Sequence, residues 1–201
     1  MRLGGVVLWL MLLSTTVKAA DWRSIAEKVL PSVVQLTNGD RPTCSGTVID
    51  KDRKHVLTDA HCFTDPMYAD SLPVVIEFRD PNTDLMVLRV PNLDRAAILL
   101  AKDDPVVGQE VASYGHAYGW AKPVLRRTMI SVADFNVPDT KCGSCFVTDA
   151  AFIGGQSGSP VVNEAGEMVM IVQMTSDRVG IGVGAKTIEK RVGRFFGKVK
   201  P

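Results

Sequence analysis

Val56-Leu57-Thr58-Asp59-Ala60-His61-Cys62 reads as a short apolar strand that delivers a histidine at its end. The same grammar continues on both sides. Short apolar runs recur at Ser32–Leu36, Gly46–Ile49, His55–Thr58, Val74–Phe78, Asp84–Val90, Glu110–Tyr114, Val124–Val132, Cys145–Thr148, Pro160–Val162, Met168–Met174 and Gly180–Ala185, with Gly, Pro, Asn and Asp between them. Many short strands at close spacing predict an all-β sandwich or barrel. Two segments depart from this pattern. From Asp21 to Leu30, Trp22, Ile25, Ala26, Val29 and Leu30 fall on one helical face, and Pro31 ends the helix. Lys186 to Lys198 reads as a terminal helix, with Ile188, Val192, Phe195 and Phe196 spaced to cover a barrel. Its basic residues read as a solvated face. Lys102-Asp103-Asp104-Pro105 interrupts the apolar pattern, so two β lobes are expected, at about 31–104 and 105–185.

The chain of 201 residues is 46% hydrophobic and 22% charged, enough for a real core. A formal net charge of +1 gives no electrostatic case for a nucleic-acid partner. Arg2, the apolar run Gly4–Leu13 and Val17-Lys18-Ala19 have the form of a secretory signal peptide cleaved after Ala19 or Ala20. The run is shorter than the roughly 20 residues of a bilayer span, so no stable membrane anchor is expected. Removal of residues 1–19 takes away Arg2 and Lys18 and no acid, moving the charge from +1 to −1. The expected location is secreted or periplasmic.

Four cysteines agree with export, because an even count in an exported chain favours disulfides. Cys142-Gly143-Ser144-Cys145 also has the spacing of a redox motif or half a zinc site. A redox motif belongs at a helix start in a βαβ unit, and this stretch lies between strand-like runs. The preferred reading is two bridges, Cys44–Cys62 and Cys142–Cys145, with no metal and no cofactor. His55 and His116 lack the ligand spacing of a metal site and read as structural.

Three short motifs carry chemistry. His61 ends its strand, and an imidazole is the side chain that both takes and returns a proton near neutral pH. Thr83-Asp84-Leu85-Met86-Val87-Leu88-Arg89-Val90 opens an apolar strand on an acid whose charge needs a partner, which an imidazole N–H supplies. Gly154-Gly155-Gln156-Ser157-Gly158-Ser159-Pro160 sets a hydroxyl among glycines, which let successive N–H groups converge on one point. Alone, the first two are outweighed by ordinary structural roles. Their order, His then Asp then Ser, is that of one fold among the several that share this triad.

At these residues the chain resembles the trypsin-like serine proteases, and within them the HtrA (Deg) protease domain. Ser45-Gly46-Thr47-Val48-Ile49, Thr58-Asp59-Ala60-His61, Asp84–Val90, Val107-Gly108-Gln109-Glu110-Val111, Tyr114–Gly119, Thr148–Phe152, Gly166–Val169 and Gly180–Gly184 carry the likeness, which covers about Ser24 to Val192. The resemblance implies two six-stranded β-barrels of the chymotrypsin type, with the triad in the cleft between them. It implies Ser157 as nucleophile, His61 as general base then acid, and Asp84 as the group that holds the imidazole. The N–H groups of Gly155 and Ser157 would form the oxyanion hole, and Cys44–Cys62 would tie the His61 loop to its neighbouring strand.

Several positions depart from the family pattern. No Ile-Val-Gly-Gly activation site is present, and Gln156 stands where trypsin-like zymogens carry an Asp, so that kind of zymogen cleavage is not expected. Ser159 replaces the usual Gly and is expected to alter the wall behind the nucleophile. No PDZ pattern follows the barrel within these residues, so peptide sensing by such a module is not expected. The pocket floor falls at Ala151, with Phe152 and Met174 narrowing it. Protein or peptide substrates with small or medium aliphatic residues before the scissile bond are therefore expected. A monomer is expected. The rival reading is a catalytically silent protease fold used for binding.

Overall fold

The computed structural model describes residues 19–135, 144–176 and 178–197. The expected signal peptide, apart from Ala19, lies outside the described residues, as do Cys142 and Lys198. Helix α1, Trp22–Val29, begins where the Asp21 carboxylate accepts the Arg23 and Ser24 N–H groups, an N-cap that satisfies two otherwise orphaned donors. It buries Trp22, Ile25 and Val29, and Pro31 turns the chain through a single 3-10 turn into the first strand.

Seven strands follow: β1 Val33–Thr37, β2 Pro42–Asp50, β3 His55–Thr58, β4 Tyr68–Ala69, β5 Leu72–Pro73, β6 Val75–Asp80 and β7 Leu85–Arg89. They form one antiparallel, barrel-like sheet in the order β5-β4-β1-β2-β3-β7-β6. Six more strands, β8 Glu110–Gly115, β9 Val124–Phe135, β10 Cys145–Thr148, β11 Pro160–Val162, β12 Met168–Thr175 and β13 Gly180–Gly184, close a barrel in the order β10-β13-β12-β11-β8-β9. The expected two-lobed β architecture is present. The first sheet has seven strands where six were expected: the five apolar runs read from the sequence, plus the two short strands of a hairpin at residues 68–73. Asp70 and Ser71 both take positive φ at its tip, the geometry of a primed hairpin turn. Asp70 is held there by the Gln35 N–H and by the Arg95 guanidinium.

Helix α2 spans Ala185–Val192, shorter than the expected run to Lys198. At Gly193 the chain tightens into a 3-10 turn ending at Phe195. Helix α1 and the described residues after α2 cross between the lobes. Helix α1 packs its buried face into a core shared with Val147, Ile181, Ile188 and Val192 of the closed barrel, and Lys28 Nζ donates to Ala165 O. Residues after α2 return to the first sheet. Arg53 donates to Arg194 O and Phe196 O, His55 Nδ1 to Phe195 O, and Gly197 N to Ile49 O. The same core joins Ile49, Leu57, Leu85 and Val87 of the first sheet to Tyr114, Val162 and Ile171 of the second. Each such buried side chain contributes about 1.5–3 kcal/mol of hydrophobic stabilisation.

Candidate active site

Strand β3 ends at Thr58, whose hydroxyl donates to Ser45 O, and the turn Ala60–Cys62 then lifts His61 out of the sheet. Asp84 sits just before β7 with φ 53, a left-handed conformation that faces its carboxylate back toward that turn. Ala60 N donates to Asp84 O (3.1 Å), His61 N to Asp84 Oδ1 (2.8 Å), and the Asp84 Oδ2 to His61 Nδ1 distance is 2.7 Å. An ionised carboxylate only accepts, so Nδ1 carries the hydrogen and the Nε2 lone pair is free. His61 is nearly half exposed and Asp84 mostly covered. The disulfide Cys44–Cys62 pins β2 to the residue after His61. Cys145 is also disulfide-bonded.

Ser157 lies in the loop before β11. Its carbonyl accepts Ser45 N (2.8 Å), and Thr47 Oγ1 donates to Gly158 O (2.9 Å), so β2 of the first sheet runs directly beneath the loop. Gly158 has φ 83, and a Cβ there would strike Ser45 O and Thr58 Oγ1; only glycine fits. Ser157 Oγ donates to Gln173 O at 3.5 Å, and no hydrogen bond joins it to His61 in this rotamer. Gln173 connects the parts. Its amide donates to Thr83 O (2.8 Å) and Asp84 O (3.3 Å), while its own carbonyl receives the serine. Sequence reading missed Gln173, because a glutamine inside an apolar strand carries no motif of its own.

The segment Ile153–Gln156 is a type II turn, with Gly155 at the third position (φ 92) and Gln156 N donating to Ile153 O (2.9 Å). The fully buried Gln156 closes it a second time, Oε1 accepting Ile153 N (2.9 Å). Gly154 O is taken by Tyr118 N (2.7 Å). The N–H of Gly155, on the other edge of that peptide plane, therefore points away from Tyr118. Gly155 O accepts Ser45 Oγ (2.8 Å), which itself accepts His116 N (2.9 Å). Among the described residues neither Gly155 N nor Ser157 N has an acceptor. Two preorganised donors beside a serine form a site for a developing oxyanion.

Ser159 is buried with its hydroxyl unpartnered, and it fills the space left by Gly115, where a Cβ would fall on its Oγ. It shapes the barrel wall between β8 and β11. Of the expected pocket residues, Ala151 is half-buried and Met174 is exposed at the end of β12. Phe152 is buried in the barrel core with its ring over Gly180. The larger surface concavities, including one of about 660 Å3 beside α1 and Pro123, are lined by other residues. His55 lies between Phe195 O (2.9 Å) and Glu77 Oε2 (3.0 Å), and His116 Nδ1 lies 2.9 Å from Trp120 O. Both are buried structural residues, and burial holds the His116 pKa down. As to metal binding, the sulfurs near His61 are joined to each other, and Asp84 Oδ2 already satisfies His61 Nδ1.

Asp59, two residues before His61, was not singled out from the sequence. It is fully buried, and both its carboxyl oxygens lack a hydrogen-bond partner among the described residues. Burial, and then the neighbouring Asp84 charge, push its pKa well up; the Gly158 amide, which donates to Val172 O, offsets this only in part.

A family model described as a trypsin-like peptidase domain matches residues 44–171. A pro-apoptotic serine protease NMA111 of Phaeosphaeria nodorum is 31% identical over 76% of this chain and 18% of its own length. A probable periplasmic serine endoprotease, DegP-like, of Pseudomonas putida is 27% identical over 79% of this chain and 36% of its own. The chain thus spans well under half the length of these relatives. Among solved structures, the active form of the Rv3671c protease from M. tuberculosis shares the fold at a TM-score of 0.74 and 20% identity, covering 88% of this chain and 86% of that one. The HtrA-type protease AlgW with a decapeptide gives a TM-score of 0.74 at 19% identity, over 84% of this chain and 65% of that one.

Proposed function

We infer that this chain, which belongs to the trypsin-like peptidase domain family, hydrolyses peptide bonds through an acyl-enzyme on Ser157. The observation that carries the reading is the pairing of a tautomer-locked imidazole with an open type II turn. His61 Nδ1 is bonded to Asp84, and the Gly155 and Ser157 N–H groups have no other acceptor. When substrate enters, Ser157 Oγ rotates from Gln173 O to His61 Nε2, gives up its proton, and attacks the scissile carbonyl. The carbonyl oxygen becomes the oxyanion held by the two amides. His61 then passes the proton to the leaving amine, and water repeats the sequence on the ester. Asp84 stabilises the imidazolium throughout and keeps its Nδ1 proton in place.

Small or medium aliphatic residues precede the scissile bond. Ala151, at the expected pocket floor, carries no charge to pair with a basic side chain. The enzyme works as a secreted or periplasmic monomer. The leader pattern, the Cys44–Cys62 bridge and the periplasmic DegP-like relative support export.

The test is labelling of the purified protein with a fluorophosphonate probe, with Ser157→Ala and His61→Ala as controls. Stoichiometric labelling lost in both controls is expected. A folded protein that does not label favours the second reading, a silent protease fold used for binding, for which the present direction of Ser157 Oγ is the supporting observation. A peptide library cut mainly after Arg or Lys would refute the specificity.

A further inference from the structure

Asp59 is a buried carboxyl for which the mechanism above has no use. One of its oxygens, one His61 nitrogen and one Asp84 oxygen lie within 4.8 Å of one another. Neither oxygen has a hydrogen-bond partner among the described residues, and the Gly158 amide, committed to Val172 O, only partly supports an anion. The charged and titratable groups around it are few. Asp84 faces it from the turn before β7, and His61 from the turn after β3. Arg79 on β6 approaches that turn but gives Nε and Nη2 to Ala60 O and stacks on Phe63. The Ser157 loop and β12 bring only neutral groups, Gly158 and Gln173. The neighbouring Cys44 and Cys62 are bonded to each other and do not titrate. Two carboxyls this close and this covered resist carrying two charges at once. Asp84 already has two donors, His61 N and Nδ1, so the charge settles there.

We propose that Asp59 is a positioning residue that acts as a neutral carboxylic acid, keeping its proton so that the pair's single negative charge stays on the carboxylate bonded to His61. This rests on the reading of His61 and Asp84 as the catalytic pair. The direction of the shift, upward by burial and by Asp84, agrees with the geometry. On the alkaline side Asp59 releases its proton to solvent. A second anion then stands behind Asp84 and loosens the fit of the carboxylate bonded to His61. The outcome is an alkaline decline in kcat/KM that belongs to Asp59.

Two measurements test this. In the Ser157→Ala protein, where nothing turns over, aspartate carboxyl carbons are labelled with carbon-13, assigned through the backbone and followed by NMR from acid to alkaline pH. The Asp59 carbon is expected to show the protonated shift through pH 7 while Asp84 shows the ionised one. Ionisation of Asp59 in the ordinary carboxylate range overturns the proposal, whether or not the protein proves to be a peptidase. In the active protein, Asp59→Asn is expected to leave the acid limb of the kcat/KM profile in place and to abolish the alkaline decline. A displacement of the acid limb to lower pH by about half a unit, roughly threefold in proton affinity, would mean that Asp59 had been an anion supporting the imidazolium, and would equally overturn it. Should Asp59→Asn fail to fold, the carbon-13 titration decides alone.

Discussion

Replacing Gln156 by alanine separates the oxyanion turn from the rest of the machinery. The side chain is fully buried and touches no part of the triad by hydrogen bond; its role is to hold the Ile153 N–H at 2.9 Å. The second closure of the turn, Gln156 N to Ile153 O, survives the substitution. Losing the side-chain bond and leaving a covered N–H without an acceptor costs about 1–3 kcal/mol, charged almost entirely to the turn conformation. Since about 1.4 kcal/mol is tenfold, the fraction of molecules with Gly155 N–H correctly aimed falls about 5- to 140-fold. The upper end meets the known scale for losing one oxyanion donor, about 100- to 1,000-fold in kcat. The loss should appear in kcat and in the second-order rate of fluorophosphonate labelling, with KM changed less than about twofold, because substrate binding does not use this donor until the oxyanion forms. Steady-state kinetics, labelling rates and thermal melts on the same preparation check it. A fall below about twofold, or one confined to KM with the labelling rate intact, would refute the assignment of Gln156 as the brace of the turn.

Three other outcomes are expected. Removing the disulfide in Cys44→Ala/Cys62→Ala, with its separation of 18 residues, should lower stability by about 3 kcal/mol and Tm by about 6–12 °C, measured by calorimetry. Asp149 accepts Thr128 Oγ1 and Met129 N, and these bonds lower its pKa below the ordinary 3.8. A depressed folded-state value stabilises above 3.8 and is lost as pH falls through the folded value. Asp149→Asn should therefore melt below the unmodified protein at pH 7 and converge with it in acid. Gly115→Ala drives a methyl onto Ser159 Oγ and should cost about 1–3 kcal/mol; adding Ser159→Gly should recover most of it, as a double-mutant cycle of melts will show.

The strands and the motifs of the candidate site were legible because each leaves a local trace. Short apolar runs marked β2, β3 and β7, and glycine marked the turn at Gly155. The β4–β5 hairpin left none, since Asp70 and Ser71 take positive φ through distant partners, Gln35 and Arg95, in place of glycine. The end of α2 was overestimated because Phe195 and Phe196 keep helical spacing after Gly193 has changed the geometry. Gln156 and Gln173 were illegible as functional residues for a related reason. An amide side chain acts by where its two ends reach, and those ends are on Ile153, Thr83 and Asp84, brought near only by the fold. Ser159 was read as altering the wall behind Ser157; its partner in that wall, Gly115, lies 44 positions away and was not legible.

The crossing of α1 and residues 194–197 has a meaning for how the molecule opens. Parting the lobes requires α1 to leave the closed barrel and residues 194–197 to leave the first sheet. Neither half therefore has a low-cost way to peel off and offer an extended segment to a neighbouring copy. Heating should give one concerted calorimetric transition, and digestion by added proteases should follow whole-molecule opening, so that resistance to cleavage is set by a latch made of residues 22–29 and 194–197.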